Sequence, residues 1–203
     1  INHASFESLA EALTAREFPV WLKTRKTTHT RALVASIAAV AIVQILGIFQ
    51  QRSSIDAAGL VKDEVLAGQY WRLFTCTLLH GSPLHLWMNL TALMSLGRLT
   101  EVFTTRAFVP IVFLLSAVSG SVFSLILPPH ATSIGASGGL MGLFGILAVA
   151  GVRRRELFPS DFFKSIIWNI VLIAGVGLAA YLFIDNAAHF GGLLCGLVLG
   201  ILL

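Results

Sequence analysis

The stretch AFVPIVFLLSAVSGSVFSLILPP, Ala107 to Pro129, runs for 23 residues without a charged side chain. A helix crosses the hydrocarbon core of a bilayer with about 20 apolar residues. Inside lipid a chain segment must satisfy its own backbone hydrogen bonds, which an open strand cannot do. The stretch is therefore expected to be a transmembrane helix. Working outward, five more runs have the same character: Ala32–Phe49, Pro83–Gly97, Ile134–Val152, Ser165–Ile184 and Asn186–Leu203. The run from Pro83 is short and interrupted by His85, Asn89, Thr91 and Ser95, and is expected to extend upstream through Leu73–His80. The predicted fold class is an all-α membrane protein, a bundle of six transmembrane helices.

Composition agrees. Of 203 residues, 56% are hydrophobic and only 12% charged, whereas an ordinary soluble domain is about 25% charged. Mean hydropathy is +0.84. These values exclude a soluble globular domain and a disordered chain. The net charge of +4 and pI near 9.5 do not point to nucleic acid, because the basic residues flank apolar runs and carry no interleaved aromatics. With the N-terminus in the cytoplasm, the inner segments hold Arg16, Lys23, Arg25, Lys26, Arg31, Arg98, Arg106, Arg153, Arg154, Arg155 and Lys164, against Arg52, Lys62 and Arg72 outside. Lys and Arg concentrate on the cytoplasmic side of membrane proteins, so both termini are expected inside. Cys76 and Cys195 lie in apolar runs and read as small buried hydrophobes.

Residues 1–31 form a short cytoplasmic segment in which Phe6, Leu9 and Leu13 have the spacing of an interfacial helix, an unstructured tail being the alternative. Residues 32–203 form the membrane domain. Its outer loop, residues 50–72, is long for a structureless connection, and its apolar side chains suggest that it folds at the outer interface. The opening at Ile1 and the stop at Leu203 inside an apolar run suggest a processed or trimmed form.

Polar side chains inside a span are costly and mark function by default. Ser137 stands in Gly135-Ala136-Ser137-Gly138, near the start of the fourth run. A lone serine in such a helix commonly bonds back to a carbonyl one turn earlier. Here Gly138, Gly139, Gly142 and Gly145 clear the space around it for a second helix or a substrate backbone. His189 opens the sixth run, and Gly192 and Gly196, three and seven residues on, share its face. A glycine stripe there implies close packing against the glycine-rich fourth span. His85 and Asn89 are four apart at the start of the second run, with His80 just ahead. Two histidines at that spacing could hold zinc, but Asn89 occupies the second position and no carboxylate or cysteine stands nearby, so no metal is expected. The second, fourth and sixth runs all pass from outside to inside. Ser137, His189, His80, His85 and Asn89 thus share one shallow depth beneath the outer face. A serine, a histidine base and extra donors at one depth form a nucleophilic hydrolase constellation. Asp185, four residues before His189, either orients the imidazole or closes the turn before the last span. The residues read as a Ser–His dyad.

Six spans, GASG opening the fourth and Ala188-His189-Phe190-Gly191-Gly192-Leu193-Leu194-Cys195-Gly196 in the sixth resemble the rhomboid family of intramembrane serine proteases. His80, the His85-x3-Asn89 pair, Trp71-Arg72 and Gly97-x3-Glu101 match further motifs of that family. The resemblance covers roughly residues 32–203. It implies Ser137 as nucleophile and His189 as general base. His85, Asn89 and the Ser137 backbone N–H become oxyanion donors, and Gly192 and Gly196 the close-packing face. His80, Trp71, Arg72 and Glu101 become structural supports. It also implies cleavage of transmembrane protein substrates near their outer ends, no cofactor or metal, and a multi-pass protein of the bacterial inner membrane. Two positions depart from the pattern. Met141 stands where many relatives carry a tyrosine that stacks on the histidine, and Thr105 replaces the last glycine of Gly-x3-Glu-x3-Gly. A catalytically inactive, client-binding relative typically lacks the serine or the histidine, and both are present. A small transporter would more often show repeated halves and polar groups at the midplane, and neither is seen.

Overall fold

The computed structural model describes residues 17–49, 53–104, 108–127, 132–155, 158–159, 161–181 and 183–202. Phe6, Leu9, Leu13, Arg16 and Thr105 lie outside them. The described residues form an all-α structure: α1 Phe18–Thr24, α2 Thr28–Phe49, α3 Ser54–Ala58, α4 Lys62–Leu66, α5 Arg72–Thr75, α6 Pro83–Phe103, α7 Phe108–Ile126, α8 Ser137–Arg153, α9 Phe162–Ala179 and α10 Asn186–Leu202. Two of them, α7 and α9, are long and apolar enough by length and composition to cross a membrane. Shorter apolar helical stretches cover Thr28–Gln44, Ser137–Arg153 and Asn186–Leu202.

The six long helices follow the apolar runs with shifted ends: α6 continues to Phe103, α8 begins at Ser137, and α9 covers Phe162–Ala179 rather than Ser165–Ile184. Two further differences have a visible cause. The first begins at Thr28 rather than Ala32, because Glu101 supplies acceptors for its first amides. Glu101 Oε1 accepts from His29 N at 3.1 Å and Oε2 from Thr30 N at 2.8 Å. The second difference is a correction: Leu73–His80 is not an upstream extension of α6. It folds as α5 followed by a single 3-10 turn, Cys76–Leu78. Ser82 then starts a new helix, its Oγ accepting from His85 N at 3.1 Å, with Pro83 in the first turn. Serine at the cap and proline just inside are strong helix starters, and they override the apolar continuity.

α8 is the central element. Twelve of its residues from Gly138 to Gly151 are buried, and it packs against α7, α10, α6 and α9. Leu143 and Leu147 of α8 join Phe113 of α7, Leu93 of α6 and Ile37 of α2 in the main core. At the end of the bundle that holds Arg98 and Arg153, Phe18 and Trp21 of α1 cluster with Phe103 and Phe158. The outward faces of the long helices are apolar too: Leu46, Trp87, Ile111, Trp168, Leu172 and Phe190 are all exposed. Large apolar side chains exposed on so many helices fit a lipid surrounding better than a soluble monomer. α9 is the most peripheral of the long helices, with only Ile166 and Gly177 buried among its described residues.

The segment between α2 and α6 folds onto the end of the bundle where α6, α8 and α10 begin. Leu60 and Ser133 exchange backbone bonds of 3.0 and 3.3 Å. Arg72 is buried, its Nη1 donating to Gly59 O at 2.9 Å and its Nε to Gln69 Oε1 at 2.8 Å.

Candidate active site

Three helix starts meet at that end. The α6 cap places His85 in the first turn, and Asn89 follows one turn later, buried. The strand-like segment before α8 is pinned by the Leu60–Ser133 bridge and by Gly135 N donating to Cys76 O at 2.9 Å. Gly135 has φ +121°, a region that side chains strongly disfavour. A β-carbon there would lie 2.7 Å from His85 Cε1, 2.8 Å from Nε2 and 3.8 Å from Asn89 Nδ2. Glycine thus brings the backbone just ahead of Ser137 against the His85 ring and close to the Asn89 amide.

Ser137 is the first residue of α8 and is half-buried. No side chain caps this helix start. The first amides of a helix have no partner within it, and the positive end of the macrodipole lies there. An anion developing at Ser137 would meet both.

α10 brings His189 into the same region by close backbone contact. A methyl group on Gly192 would overlap the Gly138 carbonyl, and one on Gly196 the Gly142 carbonyl. One on Gly145 would lie 2.7 Å from Leu193 O. Two glycine faces therefore meet with no side chain between them. Gly138, next to Ser137, lies against Ala188, next to His189. His189 Nδ1 and Asn89 Nδ2 are buried and have no hydrogen-bond partner among the described residues.

His80 is buried, and its ring packs edge-to-face on His85 with centroids 5.1 Å apart. Among the described residues no third histidine, cysteine or carboxylate joins them in a metal-sized cluster. The His80 backbone is held by Gln44 of α2, whose Nε2 donates to His80 O at 2.7 Å and whose Oε1 accepts from His80 N at 3.0 Å. Met141, one turn beyond Ser137, is buried in the core. The other expected residues stand apart from this cluster. Trp71 is exposed, Arg72 holds the loop together, and Glu101 lies at the far end of α6 as the acceptor for α2. There Gly97 makes room, since a β-carbon would lie 2.7 Å from Thr30 Cγ2.

Asp185 does not bond the His189 ring. Its Oδ1 accepts from Ala188 N at 2.9 Å, and its Oδ2 accepts from Ser124 Oγ. It closes the turn before α10. Three contributors had not been singled out from the sequence: Gln44, Lys62 and Ser124. Gln44 was legible as a lone amide in an uncharged run. Lys62 and Ser124 carry no local signal, because the partners of their side chains lie 62 and 61 residues further along the chain.

Comparison with known proteins adds a family. A rhomboid domain model matches residues 67–203. "Rhomboid protease GluP" of Bacillus subtilis is 30% identical over 210 residues, covering 96% of this chain and 41% of that protein. "RHOMBOID-like protein 5" of Arabidopsis thaliana is 30% identical over 138 residues, 67% of this chain and 45% of that protein. "Rhomboid-like protease 3" of Toxoplasma gondii is 33% identical over 136 residues, 64% of this chain and 51% of that protein. The chain spans about half or less of the length of these relatives. With a family model covering more than half of its residues, the chain belongs to the rhomboid family of membrane proteins, a family that includes serine proteases.

Proposed function

We propose that this chain is an intramembrane serine endopeptidase, cutting peptide bonds in or near transmembrane segments of other membrane proteins through a Ser137–His189 dyad. The observation that carries the reading is the junction of α6, α8 and α10. There an uncapped helix start bearing a serine lies one residue from the backbone contact that brings in His189, and Gly135 seats His85 and Asn89 alongside.

The chemistry follows. Ser137 Oγ attacks the scissile carbonyl carbon as the His189 imidazole takes the hydroxyl proton. The C–N bond breaks as the imidazolium returns that proton to the leaving amine. A water then gives a proton to the same imidazole and attacks the acyl ester, and the imidazolium passes that proton to Ser137 Oγ as its bond to the acyl carbon breaks. The oxyanion in each addition step lies at the start of α8, where the Ser137 N–H, His85 and Asn89 can donate to it. Loss of one such donor typically raises the barrier by about 3 kcal/mol. No group in this scheme requires a metal or cofactor.

In the same reading α2 and α6–α10 are six spans, the N-terminus is cytoplasmic, and the site lies near the outer face of a bacterial inner membrane. His80, Trp71, Arg72 and Glu101 are supports, and Gly192 and Gly196 the packing face.

The test is cleavage of a single-span substrate by the purified protein in detergent, with Ser137→Ala alongside. A new fragment with the wild type alone is expected. A fragment from both proteins would overturn the nucleophile assignment. Neither cleavage nor labelling of Ser137 by a fluorophosphonate would pass the chain to the inactive, client-binding reading.

A further inference from the structure

A dyad has no third side chain to hold the base, and His189 Nδ1 has no hydrogen-bond partner among the described residues. With no such bond at Nδ1, the backbone turn that carries the imidazole bears on its aim. That turn is fastened at both levels to Asp185. The Asp185 carbonyl accepts from His189 N at 3.1 Å, and its Oδ1 accepts from Ala188 N at 2.9 Å. The second carboxylate oxygen accepts from Ser124 Oγ, in the last turn of α7. Ser124 is fully buried, and its own carbonyl, together with Leu127 O at 3.3 Å, accepts from Lys62 Nζ. Lys62 is itself buried, projecting from α4 in the folded loop.

Electrostatics favour the arrangement at each joint. The last carbonyls of a helix lack partners and attract a cation, and the first amides attract an anion. Lys62 sits at the end of α7 and Asp185 at the start of α10. Burial pushes the Lys62 ammonium below its ordinary value, with Asp185 acting in the opposite direction. Burying charges in this way is weak evidence for a stabilising role, which leaves geometry as the reason to keep them. The α7–α10 packing is correspondingly close. A β-carbon on Gly120 would lie 2.6 Å from Ala188 O, and Ser119 Oγ donates to Gly191 O at 3.0 Å.

We propose that Lys62, Ser124 and Asp185 form a positioning relay that fixes the first turn of α10 against α7 and the loop, and so aims His189 at Ser137. None of the three touches substrate. The inference rests on the dyad reading and deepens it.

The experiment uses the full chain in detergent and two readouts, the rate of Ser137 modification by a fluorophosphonate and kcat and KM on a single-span substrate. The variants are Lys62→Met, Asp185→Asn, the double variant and Ser124→Ala. Each single change at Lys62 or Asp185 is expected to lower both the modification rate and kcat by about tenfold, the scale of a sub-ångström misaim. KM should stay unchanged. The double variant should be no slower than the slower single, as coupled residues behave. Folded variants with wild-type rates and only a lower melting temperature would overturn the relay, and so would losses that multiply in the double. If the larger changes prevent folding, Ser124→Ala decides alone, since it removes one hydroxyl. A modification rate equal to wild type in that variant would overturn the proposal. Absence of labelling in the wild type itself would instead bring down the dyad, and the relay with it.

Discussion

Gly135 carries two demands at once: a left-handed backbone and no room for a β-carbon beside the His85 ring. Alanine there would bring strain of about 1–3 kcal/mol and would displace the imidazole that the proposed oxyanion site uses. Gly135→Ala is expected to lower kcat by about a hundredfold, the scale of losing one oxyanion donor, with a melting temperature only a few degrees below wild type. Cleavage kinetics beside a thermal melt would check it, and near-normal kcat would remove His85 from the site. At this scale the sequence was legible where a polar residue stands in an apolar run, as with Ser137, His189, His85 and Asn89. It was not legible where chemistry depends on direction. Asp185 precedes His189 by four residues, a spacing that serves a ring partner and a helix-start acceptor equally well. The structure separates the two: its oxygens accept from Ala188 N and Ser124 Oγ, and His189 Nδ1 has no hydrogen-bond partner among the described residues.

Between elements the deciding contacts are those without side chains. Gly192 and Gly196 of α10 face the Gly138 and Gly142 carbonyls of α8 so closely that any β-carbon must push the helices apart. Gly196→Val should therefore cost stability at or above the upper end of the ~1–3 kcal/mol usual for overpacking. A melt in detergent would show it, and an unchanged midpoint would refute the close-packing account. A different outcome is expected from the other end of α6. Glu101 accepts from His29 N, Thr30 N and Thr30 Oγ1. Glu101→Gln keeps an acceptor but loses the charge, so α2 should be destabilised by about 1 kcal/mol, the usual scale of a helix-start change. Because Glu101 lies far from Ser137, kcat of the folded variant should be unchanged, and a large drop in kcat would show coupling along α6. Apolar run length made the long helices readable in the sequence. The break at residues 79–82 was obscured because Leu73–His80 is itself apolar. It is the Ser82–Pro83 start, together with Gln44 gripping the His80 backbone, that turns the chain there.

Across the whole molecule, the uneven distribution of basic residues and the location of the site bear on one question: the face at which the proposed active site opens. Lys23, Arg25, Arg98, Arg153 and Lys164 flank the end of the bundle opposite Ser137, and Arg153 Nη1 donates to Ile201 O at 2.7 Å near the end of α10. The α3–α4 loop, with Lys62 buried, covers the Ser137 end. If positive charge stays in the cytoplasm, the loop and the site must face outward. Cysteine scanning in intact cells, after Cys76 and Cys195 are replaced, tests this directly. Asp56 and Lys164 are both exposed and lie on the two opposite faces. Asp56→Cys should react with a membrane-impermeant maleimide added outside, and Lys164→Cys only after the membrane is opened. The reverse pattern would turn the bundle over and place the cut at the cytoplasmic ends of substrate helices. Labelling of both positions from outside would mean that an even number of α6, α7 and α8, the helices between them, cross the bilayer, and so that the six long helices do not all span it.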